Sequence, residues 1–287
     1  MYTETEPMDG LERSIAKMTD AIAGILHGSL HSVWLYGSVV LDDFRLGWSD
    51  IDLLVLTESP LTDGQAHRLL TLRQAMADAE PGNPFYRLFE GIVTDRAVWR
   101  TGAAAVQVYW GTTGQRITDR VQPDTFSMFE LAKYGRSVYG AQDRSLFQVP
   151  THEEMAAAVR GHYDTIRRYA VQTNESLYAC GWLLDIARCI YTLRYNDVIA
   201  KTRAGQWALS ERLFEEEEPL RKTLEIRQHP AIYRQRDDDV KRWLKGLGPV
   251  VQRYADVLER ELDRQRFDDA RRHGTRTACV SDLSADT

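Results

Sequence analysis

The first half of the chain alternates between two kinds of hydrophobic pattern. Apolar residues recur at helical spacing over Leu11–Leu26, and a second helical segment covers Thr62–Ala79. Short stretches rich in β-branched, aromatic and other apolar residues predict four strands: His31–Tyr36, Ile51–Leu56, Phe85–Val93 and Ala103–Trp110. The segment Ile51–Leu56 is apolar apart from Asp52, which is typical of a strand buried on both faces.

The pattern changes near Pro150, beyond which extended segments give way to helical ones. Thr151 and Glu154 have the spacing of a capping box, which predicts a helix start and a domain boundary. The predicted helices are Glu153–Gln172, Ser176–Arg194, Ala200–Phe214, Pro219–Arg227 and Asp237–Arg266. We therefore expect one domain over residues 1–150 and an all-helical domain over 151–270. The polar, aperiodic tail 271–287 is expected to be disordered.

Composition narrows the class of protein only a little. The 287 residues carry 43% hydrophobic and 27% charged side chains, as in a soluble globular protein, with a net charge of −6. An acidic balance argues against a non-specific nucleic-acid binder and suits a cationic substrate. The three cysteines show no zinc or disulfide spacing. No signal peptide or membrane span is predicted, so a cytoplasmic location is expected.

Two aspartates stand at the entrance to the most apolar predicted strand. Asp50 and Asp52 are two positions apart, so in a strand both carboxylates point to the same face. Such a pair can be an N-cap residue next to a turn aspartate, with both side chains exposed at the start of the strand. Alternatively, the cost of bringing two like charges together is offset by a cation between them. Mg²⁺ is the natural candidate, since it binds through one or two carboxylates together with substrate phosphates.

The pair Gly37-Ser38 follows the preceding strand. A Gly-Ser turn exposes backbone N–H groups and a hydroxyl, which can bind phosphate oxygens. The dipeptide alone marks any turn. The combination of an apolar strand, Gly-Ser, a spacer, two aspartates and a second apolar strand is far more specific than either half.

This arrangement carries a resemblance to a known family. The segment "LYGSVVLDDFRLGWSDIDLLVL" (Leu35–Leu56) resembles the signature of the DNA polymerase beta-like nucleotidyltransferases, and within them that of the aminoglycoside adenylyltransferases acting on streptomycin and spectinomycin. In the second half, "LLDIARCIYTLRYNDVIAKTRAGQWAL" (Leu183–Leu209) is similar to the helical segment of the same enzymes. The resemblance implies an α+β nucleotidyltransferase domain, with a mixed sheet flanked by helices, followed by an all-α helical bundle.

The resemblance also implies an activity and a set of site residues. The activity is ATP-dependent transfer of AMP to a hydroxyl, with two Mg²⁺ ions held by Asp50, Asp52 and Glu90. Glu90 matches the position of the glutamate base, and it is an ionisable residue where strand alternation predicts an apolar one. Gly37, Ser38, Arg188 and Lys201 are then expected to bind the nucleotide.

Each of these side chains also has a simpler interpretation. Glu90 can pair with a nearby cation such as Arg87, and Arg188 can pair with Asp185 on the same helix. Lys201 can be a solvated lysine at a helix start.

The acceptor is where this sequence departs from the streptomycin-modifying pattern. Trp110 stands closer to Glu90 than the matching tryptophan would, and Tyr178 takes the place of a drug-contacting aspartate. Glu175 and Asp185 lie nearby and could substitute for it. These four residues are therefore the candidates for binding the acceptor.

The expected function is AMP transfer from ATP to a small, hydroxylated, cationic acceptor such as an aminoglycoside, with neither nucleic acid nor membrane as a partner. One alternative is adenylylation of a protein, as in the minimal nucleotidyltransferases of toxin–antitoxin pairs. Those are short single domains, whereas this chain has a full helical domain. A second alternative is a non-catalytic nucleotide-binding regulator, which would not be expected to keep both aspartates and the Gly-Ser pair.

Overall fold

The chain divides into two compact units, Met1–Pro150 (unit 1) and Thr151–Thr287 (unit 2). The computed structural model describes residues 5–111, 114–229 and 237–281. Unit 1 combines helices with a sheet, whereas all regular elements of the described residues in unit 2 are helices. None of the described helices is both long and apolar enough to cross a membrane.

A six-stranded mixed sheet forms the centre of unit 1. Its strands are β1 (Leu30–Tyr36), β2 (Ile51–Thr57), β3 (Phe89–Asp95), β4 (Gln107–Gly111), β5 (Gly114–Thr118) and β6 (Arg136–Tyr139). The order across the sheet is β5-β4-β3-β2-β1-β6. Only β2 and β3 pair in parallel among these neighbouring strands. Parallel pairing requires a crossover connection, and α2 supplies it.

Helices cover both faces of this sheet. The helices of unit 1 are α1 (Thr5–Leu26), α2 (Asp63–Ala79), α3 (Arg96–Thr101) and α4 (Thr125–Tyr134). One buried cluster joins α1 and α2 to side chains such as Leu35 and Leu53. The other joins Trp34 and Leu54 to Leu131 of α4. Because side chains alternate along a strand, β1 and β2 contribute to both clusters and are apolar almost throughout.

The strand boundaries differ from the sequence expectation in ways that follow from local geometry. β3 begins at Phe89 rather than Phe85, because residues Tyr86–Leu88 form a 3-10 turn. β4 begins at Gln107 rather than Ala103. The two edge strands β5 and β6 and the short helices α3 and α4 were not predicted. β5 and β6 lack the buried apolar run by which the inner strands are recognised.

Unit 2 is a helical bundle. Its helices are α5 (His152–Tyr169), α6 (Tyr178–Tyr195), α7 (Lys201–Ser210), α8 (Glu218–Gln228), α9 (Asp237–Lys245) and α10 (Gly248–Ser281). The capping box at the start of α5 forms, with the Thr151 side chain accepting from the Glu154 N–H and Glu154 accepting from the Thr151 N–H. α6 contributes the most deeply buried face, including Leu183 and Ile186. The two units together confirm the predicted fold class.

The last helix runs further than the sequence pattern suggests. α10 continues to Ser281, whereas a disordered tail was expected from residue 271. Extending a helix that has already formed costs far less than starting one, so the helix can continue beyond the end of its apolar pattern. The remaining tail residues, 282–287, lie outside the described part of the chain.

Trp110 is a core residue, and its predicted role in binding an acceptor is wrong. Its side chain is 1% exposed, and the indole N–H donates to the Leu69 carbonyl of α2 at 3.1 Å. A side chain packed in this way has no surface left for a substrate. The sequence could not reveal this, because α2 comes to cover β4 only through the tertiary fold.

We expect Trp110→Phe to lower the free energy of unfolding by about 1–3 kcal/mol, through lost packing and the lost indole hydrogen bond. Urea denaturation measures this directly. Tyr139→Phe is the matched control, because Tyr139 lies on the edge strand β6 and is 40% exposed. The control should change stability by less than about 0.5 kcal/mol. Equal effects of the two changes would contradict the core assignment.

Candidate active site

Strand pairing places two of the predicted site carboxylates side by side. Asp52 of β2 is the register partner of Glu90 of β3 in the parallel pair, and of Tyr36 of β1 in the antiparallel pair. Residues paired across neighbouring strands present their side chains on the same face. This is the face on which Leu54 and Ile92 pack under α4. The two carboxylates therefore end an otherwise apolar surface.

The Gly-Ser pair packs directly against this point. Gly37 has φ +67°, and a Cβ atom added to it would lie 2.0 Å from Oδ2 of Asp52. Both the backbone conformation and the close approach require glycine. Residues 37–42 form turns rather than a regular helix. The Ser38 hydroxyl donates to the backbone carbonyl of Asp50 at 3.3 Å, which ties the turn to the start of β2.

Asp50 lies one residue before β2, and its charge acts on Glu90. Burial raises the pKa of Glu90 to about 7; the charge of Asp50 adds to this rise, and Arg73 opposes it. Like charges held close together in a half-buried place disfavour ionisation of one of them. Glu90 is therefore a carboxyl group whose burial and acidic neighbour favour its protonated form.

Arg73 is a site residue that the sequence did not reveal. Its Nη1 atom donates to the Phe89 carbonyl at 2.7 Å, at the residue before Glu90. Burial lowers the pKa of Arg73, while the charges of Glu90 and Asp50 raise it. An arginine in an amphipathic helix is ordinarily solvated, so the pattern of α2 gave no signal. Only the packing of α2 against β3 brings this cation to the carboxylates.

Tyr36 is a second residue of the site that the sequence did not reveal. It is 7% exposed, and burial raises the pKa of its hydroxyl well above the usual value. Nearby negative charges raise it further, and they belong to Asp52, Asp124, Glu130 and Glu90. The hydroxyl therefore stays protonated at neutral pH. Glu130 lies on α4 and is 4% exposed, which extends the acidic region beyond the residues predicted from sequence.

The oxygen ligands of Asp50, Asp52 and Glu90 suit a hard cation, but they do not by themselves complete its coordination shell. Within the described residues, no three His, Cys, Asp or Glu side chains are grouped closely enough to hold a metal ion by themselves. Asp50, Asp52 and Glu90 offer only oxygen donors, as Mg²⁺ prefers. A divalent cation would also offset the negative charge of Asp50, which adds to the effect of burial on the Glu90 pKa. The residues therefore fit a Mg²⁺ site that is completed by water and substrate oxygens.

In unit 2, the two predicted nucleotide-binding cations lie together around one carboxylate. Nζ of Lys201 is 3.0 Å from Oδ1 of Asp185, and Nη2 of Arg188 is 3.4 Å from the same atom. Arg188 lies within α6, and Lys201 is the first residue of α7. The pairing that the sequence offered as the simpler interpretation of Arg188 does form.

The remaining predicted acceptor residues are at the surface. Tyr178 is the first residue of α6 and is 69% exposed, and Glu175 is exposed in the segment before it. Their accessibility is compatible with ligand contact, unlike that of Trp110. Their role in binding an acceptor stays a prediction.

The sequence of unit 1 matches a known domain family. Residues 26–80 match the family model described as "Nucleotidyltransferase domain". This range contains β1, β2 and α2, together with Gly37, Ser38, Asp50 and Asp52. No curated protein matches the chain significantly in sequence.

Solved structures resemble the chain in fold. The spectinomycin adenyltransferase AAD(9) of Enterococcus faecialis, crystallised with ATP and spectinomycin, aligns with a TM-score of 0.58 at 16% identity, over 86% of this chain and 99% of that chain. A toxin–antitoxin complex with AMP-PNP aligns with a TM-score of 0.29 at 18% identity, over 53% of this chain and 98% of the other. A tri-AMPylated Shewanella oneidensis HEPN toxin with its MNT antitoxin gives 0.27 at 19%, over 54% and 95%.

The last two scores are too low to carry an argument. The first shows a shared fold over most of both chains. As the sequence motif predicted, residues 26–80 resemble a nucleotidyltransferase domain, and the fold of the chain is similar to that of an adenyltransferase.

Proposed function

We propose that this nucleotidyltransferase transfers AMP from ATP to a hydroxyl of a small cationic acceptor, with an aminoglycoside as the leading candidate. The observation that carries the proposal is the pairing of Asp52 with Glu90 beside Gly37. Placing two carboxylates at the end of an apolar sheet face, beside a glycine turn, costs free energy. Binding a metal ion would offset this cost.

In the proposed transfer, Glu90 and the Gly37-Ser38 turn have different roles. The acceptor oxygen forms a bond to the α-phosphorus of ATP, the bond from that phosphorus to the bridging oxygen breaks, and pyrophosphate leaves with the electron pair. The acceptor's proton must go to a base, and Glu90 is the candidate. The turn at Gly37 and Ser38 offers backbone N–H groups to phosphate oxygens.

Mg²⁺ is part of this proposal. Asp50 and Asp52 would hold it, with Glu90 as a third ligand or as the base. When bound, it would neutralise phosphate charge and stabilise the leaving oxygen. The half-buried Arg73 keeps the start of β3 in place through the Phe89 carbonyl, so it contributes to orienting Glu90.

Unit 2 supports the proposal through its cations. Arg188 and Lys201 carry two positive charges against the single negative charge of Asp185. Two cations held next to each other suit the charge of a triphosphate, and we assign them to phosphate contacts. This assignment extends the expectation drawn from the resemblance.

The acceptor class rests on two lines of support. The net charge of −6 favours a cationic ligand. The adenyltransferase of similar fold binds spectinomycin together with ATP. Purified protein should be incubated with ATP, MgCl₂ and a panel of aminoglycosides and aminocyclitols, and the products analysed for an added AMP by mass spectrometry. AMP attached to a protein, or to no acceptor in the panel, would contradict the proposed class.

We expect Asp50→Asn and Asp52→Asn each to reduce turnover roughly a thousandfold or more, because several kcal/mol of charge stabilisation are lost. The variants should remain folded by circular dichroism. Asp42→Asn is the control, since Asp42 is exposed in the same loop and its φ of +55° is one that Asn tolerates. Turnover near a tenth of the original in either site variant, at saturating Mg²⁺, would contradict the metal assignment.

Glu90→Gln keeps the shape of the side chain but removes its basicity. We expect turnover to fall on the order of a hundredfold or more while ATP binding survives. If Glu90 is mainly a metal ligand, the Mg²⁺ concentration needed for half-maximal ATP binding should also rise. Glu58→Gln serves as the control, because Glu58 lies just after β2 with its side chain 47% exposed. Near-normal turnover of Glu90→Gln would exclude both roles.

Lys201→Ala should raise the dissociation constant for ATP about tenfold or more, which corresponds to one charge-assisted contact of roughly 1.5–3 kcal/mol. Isothermal titration calorimetry measures this without turnover. Lys245→Ala, which removes an exposed lysine at the end of α9, should leave ATP binding unchanged. An unaltered ATP affinity in Lys201→Ala would return Lys201 to a structural role in its ion pair.

A further inference from the structure

Asp185 lies between two cations. A single oxygen, Oδ1, faces Nζ of Lys201 at 3.0 Å and Nη2 of Arg188 at 3.4 Å. The side chains of Asp185 and Arg188 are 16% and 15% exposed, so this part of the cluster is largely shielded from water. A carboxylate shared in this way fixes the separation of the two cations.

The start of α7 gives Lys201 a reason to need this partner. Lys201 is the first residue of α7, where the helix dipole presents positive charge, and the preceding Ala200 provides no side-chain cap. A lysine is therefore unfavourable at this end of the helix. The neighbouring Thr202 is anchored separately, because its hydroxyl accepts from Nε of the buried Arg227 at 3.0 Å. The backbone at the start of α7 is held in place, while the lysine side chain depends on Asp185.

The charges around Asp185 keep it ionised. Burial raises its pKa, but the positive charges of Lys201, Arg188 and His162 outweigh burial and hold the pKa below the usual value. The carboxylate is thus committed to its neighbours within unit 2. A cationic acceptor would have to displace Lys201 or Arg188 to reach it.

We propose that Asp185 is a positioning residue that holds Arg188 and Lys201 in a fixed pair for the phosphates of ATP, and that it does not contact the acceptor. This inference rests on the proposed function, in which the two cations bind phosphate. It replaces the acceptor-binding role expected from sequence. Without Asp185, two like charges would repel each other and the more exposed Lys201 would move away.

The test is Asp185→Asn, which keeps the size of the side chain but removes its charge. We expect the dissociation constant for ATP, measured by calorimetry without acceptor, to rise about tenfold, while KM for the acceptor stays within about twofold. Asp185→Glu retains the charge and should recover most of the ATP affinity. If Asp185→Asn does not fold, the ATP affinity of Asp185→Glu is the measurement that tests the proposal, and an affinity as low as that of Lys201→Ala would contradict it. In the Lys201→Ala background, Asp185→Asn should weaken ATP binding much less than it does alone.

Glu261→Gln is the matched control. Oε1 of Glu261 likewise faces two cations, Arg194 at 2.5 Å and Arg264 at 3.0 Å, and its side chain is 10% exposed. Removing this charge should leave ATP affinity unchanged, although thermal stability falls in both variants. An equal loss of ATP affinity in Glu261→Gln would mean that any broken ion pair in unit 2 has the same effect, and would overturn the proposal.

The other outcomes are also decisive. Unchanged ATP affinity in Asp185→Asn, or a raised acceptor KM with normal ATP binding, would overturn the positioning role, and the second result would restore Asp185 as an acceptor contact. If Lys201→Ala weakens ATP binding but Asp185→Asn does not, only this inference fails. If the unaltered protein does not bind ATP, the proposed function fails and this inference fails with it.

Discussion

The parallel register of β2 and β3 is the constraint on which the candidate site depends. It sets Asp52 beside Glu90 on one face of the sheet, while the antiparallel pairing with β1 sets Tyr36 on the other side of Asp52. Strand pairing fixes these positions whatever charge they carry. Burial at this position raises the pKa of Glu90 to about 7, and the negative charge of Asp50 adds to the rise.

Two neighbouring residues, Arg73 and Gly37, help to accommodate these carboxylates. Arg73 supplies one positive charge and a hydrogen bond to the strand, and Gly37 allows the turn to approach the Asp52 carboxylate without a steric clash. Half-buried carboxyl groups placed close together do not favour stability. Groups with a shifted pKa, such as Glu90, are often found at functional sites. This is the physical basis of the proposal that nucleotidyl transfer takes place at this end of the sheet.

Unit 2 also contains a cluster of charged side chains, in which two cations lie close together. There one largely shielded carboxylate, Asp185, is shared between the cations Arg188 and Lys201. The cluster around Asp52 thus combines carboxylates with Arg73, and the cluster around Asp185 combines two cations with one aspartate. Nucleotide chemistry uses both kinds of centre, since carboxylates bind metal and cations bind phosphate.

The sequence by itself determined α1, α2 and the four inner strands β1 to β4, the change of class near Pro150 and the motif around Asp50 and Asp52. These features depend on residues a few positions apart, whose spacing directly states which face they share. The tertiary structure alone decided that Trp110 is buried under α2, that Arg73 reaches the Phe89 carbonyl, and that Asp185 serves two cations. Each of these depends on the packing of elements distant in the chain, and a local pattern contains no information about which distant partner will cover a given face.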